Sequence, residues 1–156
     1  MDVRIETLEA FNIIYSAGLG PYPQSAPKAW DQLFSGLKSL KDITPKQIIG
    51  FGMDDPFLTP APLTRYVAGT TYDGDFKDTP DLNLHKMEIK SGKYAIHTMK
   101  GPYHNMPAQF AKLRNEWLPT SEEELDCSRP WLEIYLNDPF EVAEEDYLTD
   151  LHLPLK

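Results

Sequence analysis

The sequence predicts an α+β fold built from two similar strand-helix-strand-strand (βαββ) units with antiparallel sheets, related by a pseudo-twofold axis with a ligand cleft at the seam. Three internal matches carry that prediction. Gly20-Pro21-Tyr22 recurs as Gly101-Pro102-Tyr103, each copy lying between a strand-like and a helix-like run. Trp30, Leu33 and Leu37, with Phe34 widening the stripe, have the i, i+3, i+7 spacing of a buried helix face, and Phe110, Leu113 and Trp117 repeat it. IIGFGMDDP (48 to 56) and EIYLNDP (133 to 139) both end in Asp-Pro, and each is followed after a loop by a further strand-like run, LTRYVAGTTY and YLTDLHLPL.

The elements follow in order. NIIYSAGL alternates as a half-buried strand does, and Pro27 is placed near the first turn of the helix after it, as Pro107 is in the second copy. DGDFKDTPDLN (73 to 83), rich in Asp, Gly and Pro, is the natural linker. HKMEIKSGKYAIHTMK reads as a hairpin turning at Ser91-Gly92. The chain is therefore one domain, 1–156, with pseudo-repeats over about 1–72 and 84–156.

RPWLEIYLNDP (129 to 139) is the most informative run. Strand side chains point alternately to opposite faces, so Leu132, Ile134 and Leu136 share one face and Trp131, Glu133 and Tyr135 the other. Aligned on Asp-Pro, Ile49, Phe51 and Met53 match the aliphatic set, Gly50 stands opposite Glu133 and Gly52 opposite Tyr135. The aliphatic sets are expected to pack under each unit's own helix, which turns the acid, its two aromatic neighbours and the glycines toward the seam. A carboxylate between rings, facing residues without side chains, describes a pocket better than a packed core. The other reading pairs Glu133 with Arg65 in a buried ion pair and uses the glycines for close strand packing.

Composition bounds the function. Of 156 residues, 41% are hydrophobic and 12% aromatic, too many for a disordered chain, and no run is long enough to cross a bilayer. The N-terminus lacks the apolar stretch of a signal peptide, so a cytoplasmic location is expected. The net charge of −9 gathers late: residues 101 to 156 carry 4 Lys/Arg against 12 Asp/Glu, leaving no basic patch for nucleic acid. Cys127 has no second cysteine to pair with, and His85, His97, His104 and His152 are scattered without ligand spacing, so neither metal nor cofactor is expected.

Taken in order, GKYAIHTMKGPY, NEWLP and LEIYLNDP, with PKQIIGFGMDDP and LTRY earlier, resemble the GyrI-like family, which includes DNA gyrase inhibitor proteins. The same domain is similar to the effector-binding domain of multidrug-responsive transcription regulators. The resemblance covers essentially the whole chain. It implies two strand-helix-strand-strand units around a ligand cleft, with the acidic residue of the matching strand, here Glu133, facing bulky and often cationic ligands. It also implies two other roles found in the family: hydrolases that open strained cyclopropane rings of toxic natural products, and gyrase-binding proteins that protect against toxins. No segment reads as helix-turn-helix, so a stand-alone protein is expected.

Three functions follow as expectations. In a binding module, an organic cation lies on Trp131 and Tyr135 with Glu133 as its counter-charge. In a hydrolase, Glu133 acts as general acid or base, assisted by Tyr135, Tyr22 or Tyr103. In an interaction protein, the acidic segments 121 to 126 and 141 to 146 dock on DNA gyrase. Tyr66, beside Arg65, joins Tyr22, Tyr103, Gly50 and Gly52 among the pocket-lining candidates, while Trp30, Phe34, Phe110 and Trp117 are expected in the core.

Overall fold

The computed structural model describes residues 1–55 and 58–156, so Pro56 of the first Asp-Pro pair lies outside the described residues. Along the chain run β1 (Arg4–Leu8), β2 (Phe11–Leu19), α1 (Tyr22–Leu37), β3 (Thr44–Gly52), β4 (Arg65–Asp73), β5 (His85–Ile89), β6 (Gly92–Lys100), α2 (Met106–Lys112), β7 (Leu132–Tyr135) and β8 (Leu148–Leu155). The fold is thus mixed α and β, with antiparallel pairing. Its contacts divide residues 11–89 from residues 1–10 together with 90–156.

In the 11–89 unit the strands lie in the order β3, β4, β2, β5. Register places Ser16, Ala68 and Gly50 side by side on one face, and Gly18, Tyr66 and Gly52 next to them. That is the face α1 covers, because Ala29 and Leu33 of the helix pack with Ile14, Tyr66 and Ala68. The reverse face of Ile13, Ile49, Phe51 and Val67 is buried as well.

In the unit of 1–10 and 90–156 the order is β1, β6, β8, β7. Leu113, following α2, packs with Ala95, Leu153 and Leu155, and Trp117 and Trp131 close over them. Glu133 pairs with Leu151 and Tyr135 with Thr149, which puts both on the same face as Leu153.

Four expectations are corrected here. Leu132, Ile134 and Leu136, with Ile49, Phe51 and Met53, do not pack under the helices; the faces of Trp131 and of Gly50 and Gly52 do. Both faces of β7 carry large apolar groups, so alternation separates two faces without saying which one a helix meets. The runs flanking Ser91-Gly92 are strands but not a hairpin, because β5 pairs with β2 and β6 with β1 and β8. Pairing with residues distant in sequence wins because Ile89 and Tyr94 each gain burial in a different unit. Pro27 is the sixth residue of α1, past its first turn, whereas Pro107 is the second of α2. Phe34 is 42% exposed and stacks on Trp30 from outside instead of entering the core.

The recurring Gly-Pro-Tyr has a backbone cause. Gly20 and Gly101 adopt φ of +113° and +119°, a region costly for any residue with a Cβ, and the prolines after them hold φ at −52° and −59°. Each glycine N–H also ties its turn to the start of a later strand, donating to the Thr64 carbonyl at 2.8 Å and to the Tyr147 carbonyl at 2.9 Å.

Candidate functional site

The chemistry-bearing face belongs to β7. Trp131, Glu133 and Tyr135 are all half-buried, while the alternating Leu132 and Ile134 are buried. Residues two apart on a strand share a face, which lets the Tyr135 hydroxyl reach back and donate to Glu133 Oε2 at 2.8 Å. Such a bond is charge-assisted when the carboxyl group is ionised, and it fixes the orientation of both groups.

Two further tyrosines extend the aromatic wall. Tyr103 meets Tyr135 edge to face at 5.2 Å between centroids and stacks on Tyr147 at 4.6 Å. Burial, with Tyr147 and the Asp138 carboxylate nearby, pushes the Tyr103 phenol up to about 12. Tyr103 therefore stays a neutral hydroxyl through the physiological range, able to donate a hydrogen bond but unsuited as a base. At the other end of the row the Trp131 ring meets Phe110 at 5.5 Å, and the Arg114 guanidinium carbon lies 5.8 Å from its centroid.

The remaining predicted residues gather in the 11–89 unit. Tyr66 meets Tyr22 at 6.0 Å and Trp30 at 6.2 Å, both edge-on. Gly52 pairs with Tyr66, and a Cβ built on Gly52 would lie 2.5 Å from the Tyr22 hydroxyl, so this glycine is replaced in space by a tyrosine from α1. Gly50 is buried beside Ala68. The Tyr22 hydroxyl donates to the Asp54 carbonyl at 2.6 Å and accepts from the Asp54 N–H at 3.3 Å, so it anchors the loop after β3. Burial raises its pKa above the ordinary phenol value.

The structure thus brings Tyr103, Glu133 and Tyr135 together on one face with Trp131, and Tyr22, Tyr66 and Gly52 together on another. Arg65, the alternative partner for Glu133, forms a two-pronged ion pair with Asp54 at 2.8 and 3.0 Å. Sequence reasoning missed Tyr147 and Arg114. Tyr147 follows the acidic EVAEED run and its signal was the strand start one residue later; Arg114 carried none. Among the described residues, no group of three or more His, Cys, Asp or Glu is placed to hold a metal ion.

The GyrI-like small molecule binding domain matches residues 1–156. Among solved structures, the EcmrR C-terminal domain is similar at 12% identity, TM-score 0.83, covering 99% of this chain and 97% of that one. In the EcmrR–DNA complex the same likeness spans 57% of the EcmrR chain. A hydrolase from Listeria innocua is 16% identical, TM-score 0.69, over 99% of this chain and 91% of its own. SAV2435 bound to tetraphenylphosphonium is 16% identical, TM-score 0.64, over 100% and 94%. At these identities the likenesses establish a shared fold.

Proposed function

The chain belongs to the GyrI-like small-molecule-binding family, and from that premise we propose that it holds amphipathic organic cations, of the kind found among drugs and toxins, on the Trp131, Glu133, Tyr135 face. The observation that carries the reading is the Glu133 carboxylate, fixed by the Tyr135 hydroxyl and half-buried between rings. A carboxylate so held supplies charge complementarity, and neighbouring rings supply apolar area and quadrupole attraction. The aromatic phosphonium cation seen on SAV2435 supports the same ligand class. Tyr103 lines the face, while Tyr22, Tyr66, Gly50 and Gly52 shape the other unit. We also infer that the two halves are copies, since in each unit the strand before Gly-Pro-Tyr sits in the sheet between an outer strand and the last strand of its repeat.

Titration with tetraphenylphosphonium, read by Trp fluorescence, tests this. Glu133→Gln keeps the shape and removes the charge, and a partly desolvated cation interaction of about 1–2 kcal/mol corresponds to roughly a five- to thirtyfold weaker Kd. Neutral triphenylphosphine oxide should be indifferent to the substitution. Equal Kd values for the cation in both proteins would refute the reading. Mass analysis of cyclopropane-bearing electrophiles after incubation reads the hydrolytic alternative, in which a Glu133-dependent product must appear, and a gyrase pull-down reads the third.

A further inference from the structure

The protein has four arginines, and three are bonded to a carboxylate: Arg4 to Asp150, Arg65 to Asp54 and Arg129 to Asp126. Among the described residues, no carboxylate lies within ion-pair distance of Arg114. Its guanidinium instead covers Trp131, at 5.8 Å from the ring centroid. The position is set by the helix. After α2 the chain takes a π turn over Leu113–Trp117, a wider turn that recurs at functional sites. Leu113 there is fully buried and pins the turn to the sheet, while the next residue, Arg114, is exposed. Phe110, three residues before Leu113, meets the same indole at 5.5 Å.

One face of β7 therefore carries charges of opposite sign at separate places. Glu133 lies in the middle of the row, and Arg114 stands over Trp131, two residues before it. A monopolar cation gains at Glu133 and loses near Arg114. A ligand whose positive and negative ends are separated by an aromatic body satisfies both.

We propose that Arg114 determines specificity at this face, selecting dipolar amphiphiles that present a cation to Glu133 and a carboxylate or sulfonate to Arg114. The assignment rests on the binding reading above. Guanidinium forms suit carboxylate and sulfonate oxygens geometrically, and the indole beneath keeps the side chain in place.

Two dyes with the same chromophore separate the possibilities: rhodamine B, a zwitterion with a free carboxylate, and rhodamine B ethyl ester, its cationic ester. Arg114→Gln should weaken rhodamine B roughly three- to fivefold, the worth of one exposed to half-exposed charge pair, and leave the ethyl ester unchanged or tighter. Arg114→Lys, which keeps the charge, should retain part of the preference. Each comparison is made within one dye, so differences in shape between them cancel, and thermal unfolding checks that the variants fold. Equal weakening of both dyes would mean a structural role and overturn the proposal, as would no change in either. Glu133→Gln should weaken both; if it moves neither while Arg114→Gln still discriminates, the cation-binding reading fails and the Arg114 assignment survives.

Discussion

Arg129 lies three residues before the strand that carries the site, and its clamp yields a prediction that can be worked through. The guanidinium, only 7% exposed, donates from Nε to Asp126 at 2.7 Å and from Nη2 to the carbonyls of Lys93 at 2.9 Å and Leu155 at 2.6 Å, above the Tyr94 ring. Asp126 is drawn down from 3.8 to about 2, first by the Ser128 hydroxyl, then by Arg129 and the Ser128 N–H. Nearly two pKa units correspond to roughly 2.5 kcal/mol at about 1.4 kcal/mol each. The carboxylate is 20% exposed, so solvent screening reduces this to about 1–2 kcal/mol. Because the folded pKa lies below the unfolded one, the stabilisation is complete above pH ~4 and disappears as pH falls through ~2, with roughly half gone near pH 3. Asp126→Asn should therefore lower Tm at pH 7 by roughly 3–6 °C for a chain of this size, and the gap should shrink toward pH 3. Differential scanning calorimetry of both proteins from pH 7 to 3 measures it. A gap that stays constant over that range would refute the electrostatic account and leave packing as the cause.

Gly52→Ala should cost about 1–3 kcal/mol in urea unfolding, because its methyl group must displace the Tyr22 hydroxyl that bonds Asp54; in a Tyr22→Ala background most of that cost should vanish, and an unchanged cost there would contradict the contact. His152 is 3% exposed and edge-on to Tyr94, and burial lowers its pKa below 6.5. Its contribution is complete above pH 6.5 and is lost as pH falls below it, so replacing it by Leu should flatten the fall in Tm between pH 6.5 and 5; an unaltered slope would mean His152 does not titrate in that window.

Much of the fold was legible because it rests on short-range rules. A glycine forced to positive φ, followed by proline, marked both helix starts, and a period of two marked β7. Partner choice was not legible. HKMEIKSGKYAIHTMK satisfies every local requirement of a hairpin, yet β5 and β6 have different neighbours, a decision made by burial summed over distant strands. The face a helix covers escaped for the same reason. Glycines at 50 and 52 look like empty space in one dimension, whereas Gly52 marks where an aromatic ring from another element comes closest.

That last point alters the meaning of the acid. If the glycine face were open, Glu133 would be the polar wall of a gap. Instead, in its own unit, Glu133 lies on the helix side of the sheet, where Trp131 joins the Leu113 cluster and Tyr135 supplies a fixed donor. A carboxylate in such surroundings needs its hydrogen-bonding capacity answered, and a tyrosine hydroxyl answers part of it without cancelling the charge. Arginine would cancel it. The two arginines that sequence or position brings to mind are both committed elsewhere, Arg65 to Asp54 and Arg129 to Asp126, while Arg114 stops at Trp131. Along the row the Tyr135 hydroxyl donates to Glu133, and the Arg114 guanidinium lies over the Trp131 indole. The placing of Glu133 and Arg114 at different residues of the row is the feature that binding experiments with their variants address most directly.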